Sequence, residues 1–176
     1  MLPDPLHPAL VHFPIVLTIL LPVAALLALW RIRRGAAPRT AWSFAVLLAA
    51  ALSASAWAAV QTGERDEEAV EEVVAQLPLE RHEEAAERFL LFTGGMLLIA
   101  AAGLLRGRAG ATARVVSTVA ALGLVVAGVQ VGHSGGELVY RYNAASAHVT
   151  DAAGDGRLSA AGAEDQSQRD LEHEDD

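Results

Sequence analysis

The stretch His7-Pro8-Ala9-Leu10-Val11-His12-Phe13-Pro14-Ile15 opens an apolar run that continues to Trp30. Two histidines and two prolines stand at its mouth. A run of that length, free of charge, matches the roughly 20 residues needed to cross a 30 Å hydrocarbon core. Proline in the first turns of a helix is tolerated, because the backbone N–H groups there have no intrahelical partner. Pro22 falls mid-run and is expected to kink the helix, with neighbouring helices covering the freed carbonyl.

Working outward, three further runs have the same character. The four expected membrane helices span about residues 9–30, 41–62, 88–105 and 113–132. Ala50, Ala54 and Ala58 form a row of small residues in the second, which permits close helix contact. The chain of 176 residues is 53% hydrophobic, with a mean hydropathy of +0.33, and its charges fall between and after the runs. The expected fold is therefore all-α, a four-helix transmembrane bundle over residues 1–149, followed by a disordered acidic tail over 150–176.

The connections set the orientation. Arg31, Arg33, Arg34 and Arg39 lie between the first two runs, and Arg106, Arg108 and Arg114 between the last two, with no acid in either segment. The middle connection carries Glu64, Asp66, Glu67, Glu68, Glu71, Glu72, Glu80, Glu83, Glu84 and Glu87. The positive-inside rule places the arginine loops in the cytoplasm, so both termini and the acidic loop are expected outside. Val70, Val73, Val74 and Leu77 recur at helical spacing, which predicts an amphipathic helix over about 64–77 ended by Pro78. The glycines of Gly132-His133-Ser134-Gly135-Gly136 suit a sharp departure from the fourth helix. The expected location is the cytoplasmic membrane of a bacterium, as a multi-pass protein.

Composition excludes several chemistries. There is no cysteine, so thiolate catalysis, Fe–S clusters, Cys-ligated zinc and covalently attached c-type haem are ruled out. Every basic side chain other than histidine is arginine, so no lysine can form a Schiff base. A net charge of −8 makes nucleic acid a poor partner. No phosphate loop or nucleophile elbow is present, and no carboxylate lies within the runs. An enzyme acting by itself and an ion-coupled transporter are both disfavoured.

What remains is histidine. His7 and His12 open the first helix, His82 precedes the third and His133 ends the fourth, all on the expected outer side. Histidine near hydrocarbon is costly and tends to have a partner. Glu83 or Glu137 could orient an imidazole through its second nitrogen. The plain reading is helix capping at the interface. The chemical reading is a ligand cluster for haem iron, zinc or copper, with His12, His82 and His133 as leading candidates and His7 in reserve. At least two of the three leading imidazoles are expected at similar depth, near the hydrocarbon boundary, in a cavity lined by Phe13, Gln61 or Gln130.

The opening His-Pro-Ala-Leu-Val-His-Phe-Pro, Thr62-Gly63, His82-Glu83 and Gly135-Gly136-Glu137-Leu138-Val139-Tyr140 together resemble a bacterial family of predicted membrane proteins known as a domain of unknown function. The resemblance covers roughly the first 145 residues. It implies four helices. It also implies membrane redox work, since some members of that family are joined to Rieske-type or cytochrome c-type domains. The function expected first is thus a b-type haem-binding electron-transfer subunit with a redox protein or quinone as partner. Its rivals are an envelope structural or assembly protein without cofactor, which could be a homo-oligomer, and a zinc- or copper-binding membrane protein.

Overall fold

The structure is a computed structural model that describes residues 6–71, 74–144 and 146. The tail expected from residue 150 onward lies outside the described residues. Among the described residues all regular structure is helical. A short helix α1 (His7–Leu10) leads into α2 (His12–Arg33), and α3 (Pro38–Glu71), α4 (Gln76–Ala102) and α5 (Gly107–Tyr140) follow. Four helical stretches are long and apolar enough to cross a membrane.

The packing forms a closed ring: α2 on α3, α3 on α4, α4 on α5, and α5 back on α2, with α1 against α3. Leu21, Leu52, Phe89, Met96, Ala100, Ala121 and Leu124 make the interior. Alanine at Ala25, Ala45, Ala49 and Ala56 is fully or almost fully buried, which lets helix backbones approach closely. The outer surface is apolar as well. Leu47, Leu91, Leu98, Val119 and Val129 are all exposed, as expected of side chains that face lipid tails.

The element boundaries differ from the sequence expectation in three places. The acidic segment is not a separate surface helix up to residue 71, because α3 runs unbroken from the second span. Pro78 does not end a helix but sits in the first turn of α4, where its missing N–H costs nothing. The Gly132 to Gly136 stretch is helical, and α5 continues to Tyr140. Tertiary packing there overrides the low helix propensity of glycine. Pro22 lies buried inside α2.

One end of the bundle is tied by backbone capping. The last carbonyls of a helix have no partner within it. Here Trp42 Nε1 donates to Ala100 O at 2.8 Å, Arg114 Nη1 donates to Gly103 O, and Arg39 Nε donates to Leu104 O at 2.9 Å. Two cations thus sit at the negative pole of α4, which explains how Arg114 is buried without a carboxylate partner. These contacts also place both arginine-rich connections at the same end of the bundle.

A methyl group at Gly103 would collide with the Trp42 indole and the Ala100 carbonyl. Gly103→Ala is therefore expected to destabilise the protein by about 1–3 kcal/mol through overpacking. Thermal unfolding in mild detergent would read this as a lowered midpoint, and an unchanged midpoint would show that the capped end has slack.

At the opposite end, α3, α4 and α5 project past the apolar interior. Val74, Leu138 and Ala144 pack there with Val70, Leu79 and Tyr142 into a second, smaller apolar cluster. His7 and His82, both half-buried, lie toward this end of the bundle.

Candidate functional site

His7 and His82 meet across the ring of helices, with ring centroids 6.5 Å apart and planes at 83°. His7 is brought there by α1, whose helical phase carries through Val11 into α2. His82 lies in the second turn of α4. Both rings are half-buried.

Each ring is held by its Nδ1 atom. His7 Nδ1 lies 2.8 Å from Ala59 O, with Thr62 Oγ1 at 3.4 Å. A carbonyl can only accept, so His7 donates from Nδ1. His82 Nδ1 lies 2.9 Å from Ser134 Oγ, which in turn donates to Val131 O at 3.0 Å. Since the serine proton goes to that carbonyl, His82 also donates from Nδ1. Both neutral imidazoles then carry their lone pair on Nε2. The closest polar contacts of both rings are thus at Nδ1, and His82 has a backbone hydrogen bond to Val131 in addition.

Two glycines make room. A methyl at Gly63 would come within 3.2 Å of His7 Cε1, and one at Gly135 within 3.0 Å of His82 Cε1. Gly63→Val and Gly135→Val are each expected to push the adjacent ring away and break the pair, while helical content is kept. Loss of the ligand-dependent signal, with an unchanged far-ultraviolet circular dichroism spectrum, would show this. Ligand binding that survives both changes would contradict it.

The depth of the site follows from the helix surface. Leu91 is 74% exposed and faces lipid, whereas Arg88 and Glu84 form an exposed ion pair one turn outward. His82 is seven residues before Phe89, about 10 Å along α4, on the polar side of this change in surface character.

The structure groups the histidines differently from the sequence expectation. His12 is exposed on α2, and His133 is exposed on α5. They do not join His82. Phe13 and Gln130 are exposed too, and the Gln61 amide donates to Glu64 at 2.8 Å, so these three line no shared cavity with the histidines. The reason is angular. His12 is five residues from His7, and His133 is one residue from Ser134, so at 100° per residue only one of each can face inward. Nor does Glu137 orient an imidazole. It pairs with Arg141 at 3.4 Å.

Sequence reasoning did not assign roles to Ala59, Thr62, Ser134 or Gly135. The available signal was a hydroxyl residue followed by glycine at the outer end of the second and fourth runs.

A model of the predicted membrane protein family DUF2231 matches residues 3–148. The chain belongs to the DUF2231 family. The matched segment of this DUF2231 protein takes in every helix and all the residues around the His7–His82 pair. No curated protein and no solved structure matches the chain. Family membership agrees with the helical membrane architecture and leaves the chemistry of the histidine pair to be argued from geometry.

Proposed function

We propose that this DUF2231 protein is a membrane electron-transfer subunit that holds one b-type haem through His7 and His82. The observation that carries the reading is the pair itself: two Nδ1-anchored imidazoles on facing helices with centroids 6.5 Å apart. Metal–imidazole bonds of about 2.0 Å place two ring centroids roughly 6 Å apart across a shared ion. The donor set also discriminates. A protein zinc site supplies three or four side-chain ligands. Among the described residues, no three His, Asp or Glu side chains group closely enough to hold an ion. Haem iron brings four ring nitrogens and needs only the two axial positions filled, which suits a site with two donors.

When bound, haem would supply a one-electron carrier. The chain's own residues do the rest. Ala59 O and Ser134 Oγ fix each ring's tautomer and orientation. The apolar interior below and the Val74–Leu138–Ala144 cluster above limit access of water. With the arginine loops in the cytoplasm, the site opens toward the outside of a bacterial cytoplasmic membrane, where a redox protein or quinone would exchange electrons with it. Reporters fused after Arg34 or Arg108 are expected to read cytoplasmic, and one after Glu72 to read outside. A cytoplasmic reading at Glu72 would reverse this orientation.

The test of the proposal is a visible spectrum of the purified protein, oxidised and reduced. A Soret band that shifts on reduction is expected. A featureless spectrum overturns the haem reading. Metal analysis would then separate a copper or zinc protein from a cofactor-free envelope protein.

A further inference from the structure

The two halves of the site are built alike. On one side His7 lies over Thr62-Gly63, and on the other His82 lies over Ser134-Gly135. In each case the hydroxyl oxygen contacts Nδ1 and donates to the carbonyl three residues earlier, Ala59 for Thr62 and Val131 for Ser134. In each case the glycine admits the imidazole, with Cε1 the ring atom closest to its missing methyl or equal closest. The separations along the chain are nearly the same, 55 residues from His7 to Thr62 and 52 from His82 to Ser134. The hairpin of α1, α2 and α3 corresponds to the hairpin of α4 and α5. Both leave the histidine end, turn at the arginine end, and return.

We infer that Thr62-Gly63 and Ser134-Gly135 are equivalent imidazole receptors, one per helical hairpin, and that the ligand sits on the pseudo-twofold axis between them. The hydroxyls are positioning residues. They do not touch the ligand but fix the proton on Nδ1, so that both Nε2 lone pairs are presented to one point. This gives the Gly132 to Gly136 stretch a defined purpose: its working members are Ser134 and Gly135, and His133 faces away. The backbone carbonyl recurs as well. His7 has Ala59 O as its nearest partner at 2.8 Å, and His82 has a backbone hydrogen bond to Val131 beside Ser134 Oγ at 2.9 Å. Ser134 is the partner of His82 that mutation can remove without touching the backbone.

The ligand in this inference rests on the haem reading, but the tautomer does not, and the experiment keeps the two apart. Nitrogen-15 NMR of histidine-labelled, haem-free protein is expected to show both His7 and His82 as Nδ1–H tautomers. Ser134→Ala should raise the Nε2–H fraction of His82 above that of wild type and leave His7 unchanged, with the Val131 carbonyl as the remaining acceptor, and Ser134→Thr should restore the wild-type pattern. In the haem-loaded protein, Ser134→Ala should weaken haem binding about 10- to 100-fold, the usual effect of losing a hydrogen bond behind a metal ligand. An identical His82 pattern in wild type and Ser134→Ala, or no rescue by threonine, would overturn the inference. If no haem-loaded form can be prepared while the tautomer pattern behaves as expected, the haem reading fails and the receptor assignment stands.

Discussion

His7→Ala and His82→Ala are each expected to abolish the Soret band, with haem affinity falling by well over about 100-fold, more than the loss of any supporting hydrogen bond. His12→Ala and His133→Ala are expected to leave the band in place. The contrast follows from placement. His7 and His82 face each other at 6.5 Å, whereas His12 and His133 are exposed on the outer faces of α2 and α5. Neither ligand substitution should prevent membrane insertion, because insertion depends on the four apolar spans. Each removes one side-chain hydrogen bond from a half-buried ring, about 1 kcal/mol of stability. The double variant should be no worse than either single one, since a six-coordinate centre needs both imidazoles, and residues that act on one ligand are not additive. Absorbance titration with haem, on protein shown to be helical by circular dichroism, measures all five variants. Retention of the band in His7→Ala together with its loss in His133→Ala would reverse the assignment.

Trp42→Ala is expected to produce the largest loss of stability, about 3–5 kcal/mol. The indole is completely buried among Ala25, Ala28 and Ala45, with Leu29, Val46 and Leu104 packed alongside, and its removal leaves a cavity larger than any one of them fills by a rotamer change. It also donates to Ala100 O, a last-turn carbonyl that accepts the Gly103 N–H at 3.0 Å as well. Trp42→Phe keeps most of the volume and loses the indole bond while the carbonyl keeps its backbone donor, so a smaller cost of about 0.5–1.5 kcal/mol is expected. Against a total stability of roughly 5–15 kcal/mol, the alanine variant approaches unfolding, and the phenylalanine variant does not. Trp42 is seventeen residues from Ala59 along α3, about 26 Å. Whatever fraction of the variant folds should therefore bind haem as the wild type does. Denaturant unfolding in detergent, followed by the Soret titration, separates the two effects.

Much of the fold was legible because charge and hydropathy act over whole segments. The four spans, the arginine connections and the acidic one are visible as blocks, and the structure keeps them as blocks. The ends of the helices were not legible. Nothing in the polar sequence from Glu64 to Glu71 distinguishes a separate surface helix from an extension of α3, and the glycines of Gly132 to Gly136 argue locally against the helix that packing imposes. That second ambiguity hid the site. With residues 132–136 read as leaving the helix, no face could be assigned, and His133 drew attention that Ser134 warranted. On α5 the two are 100° apart, and only the serine reaches His82. At the N-terminus, helical phase carried through Val11 turns His7 toward α3 and leaves His12 outside, and composition carries no sign of that choice. His82 and His133 each stand alone near the mouth of a run, so position along the chain gave no ground for choosing between them.

The most direct test is an X-ray structure of the protein purified with its native ligand from the membrane. The expected result is one density feature on the axis between the two hairpins, bonded to Nε2 of His7 and Nε2 of His82, with Ala59 O and Ser134 Oγ behind the two Nδ1 atoms. A ligand bound by His12 or His133, or imidazoles of His7 and His82 turned apart with nothing between them, would contradict it.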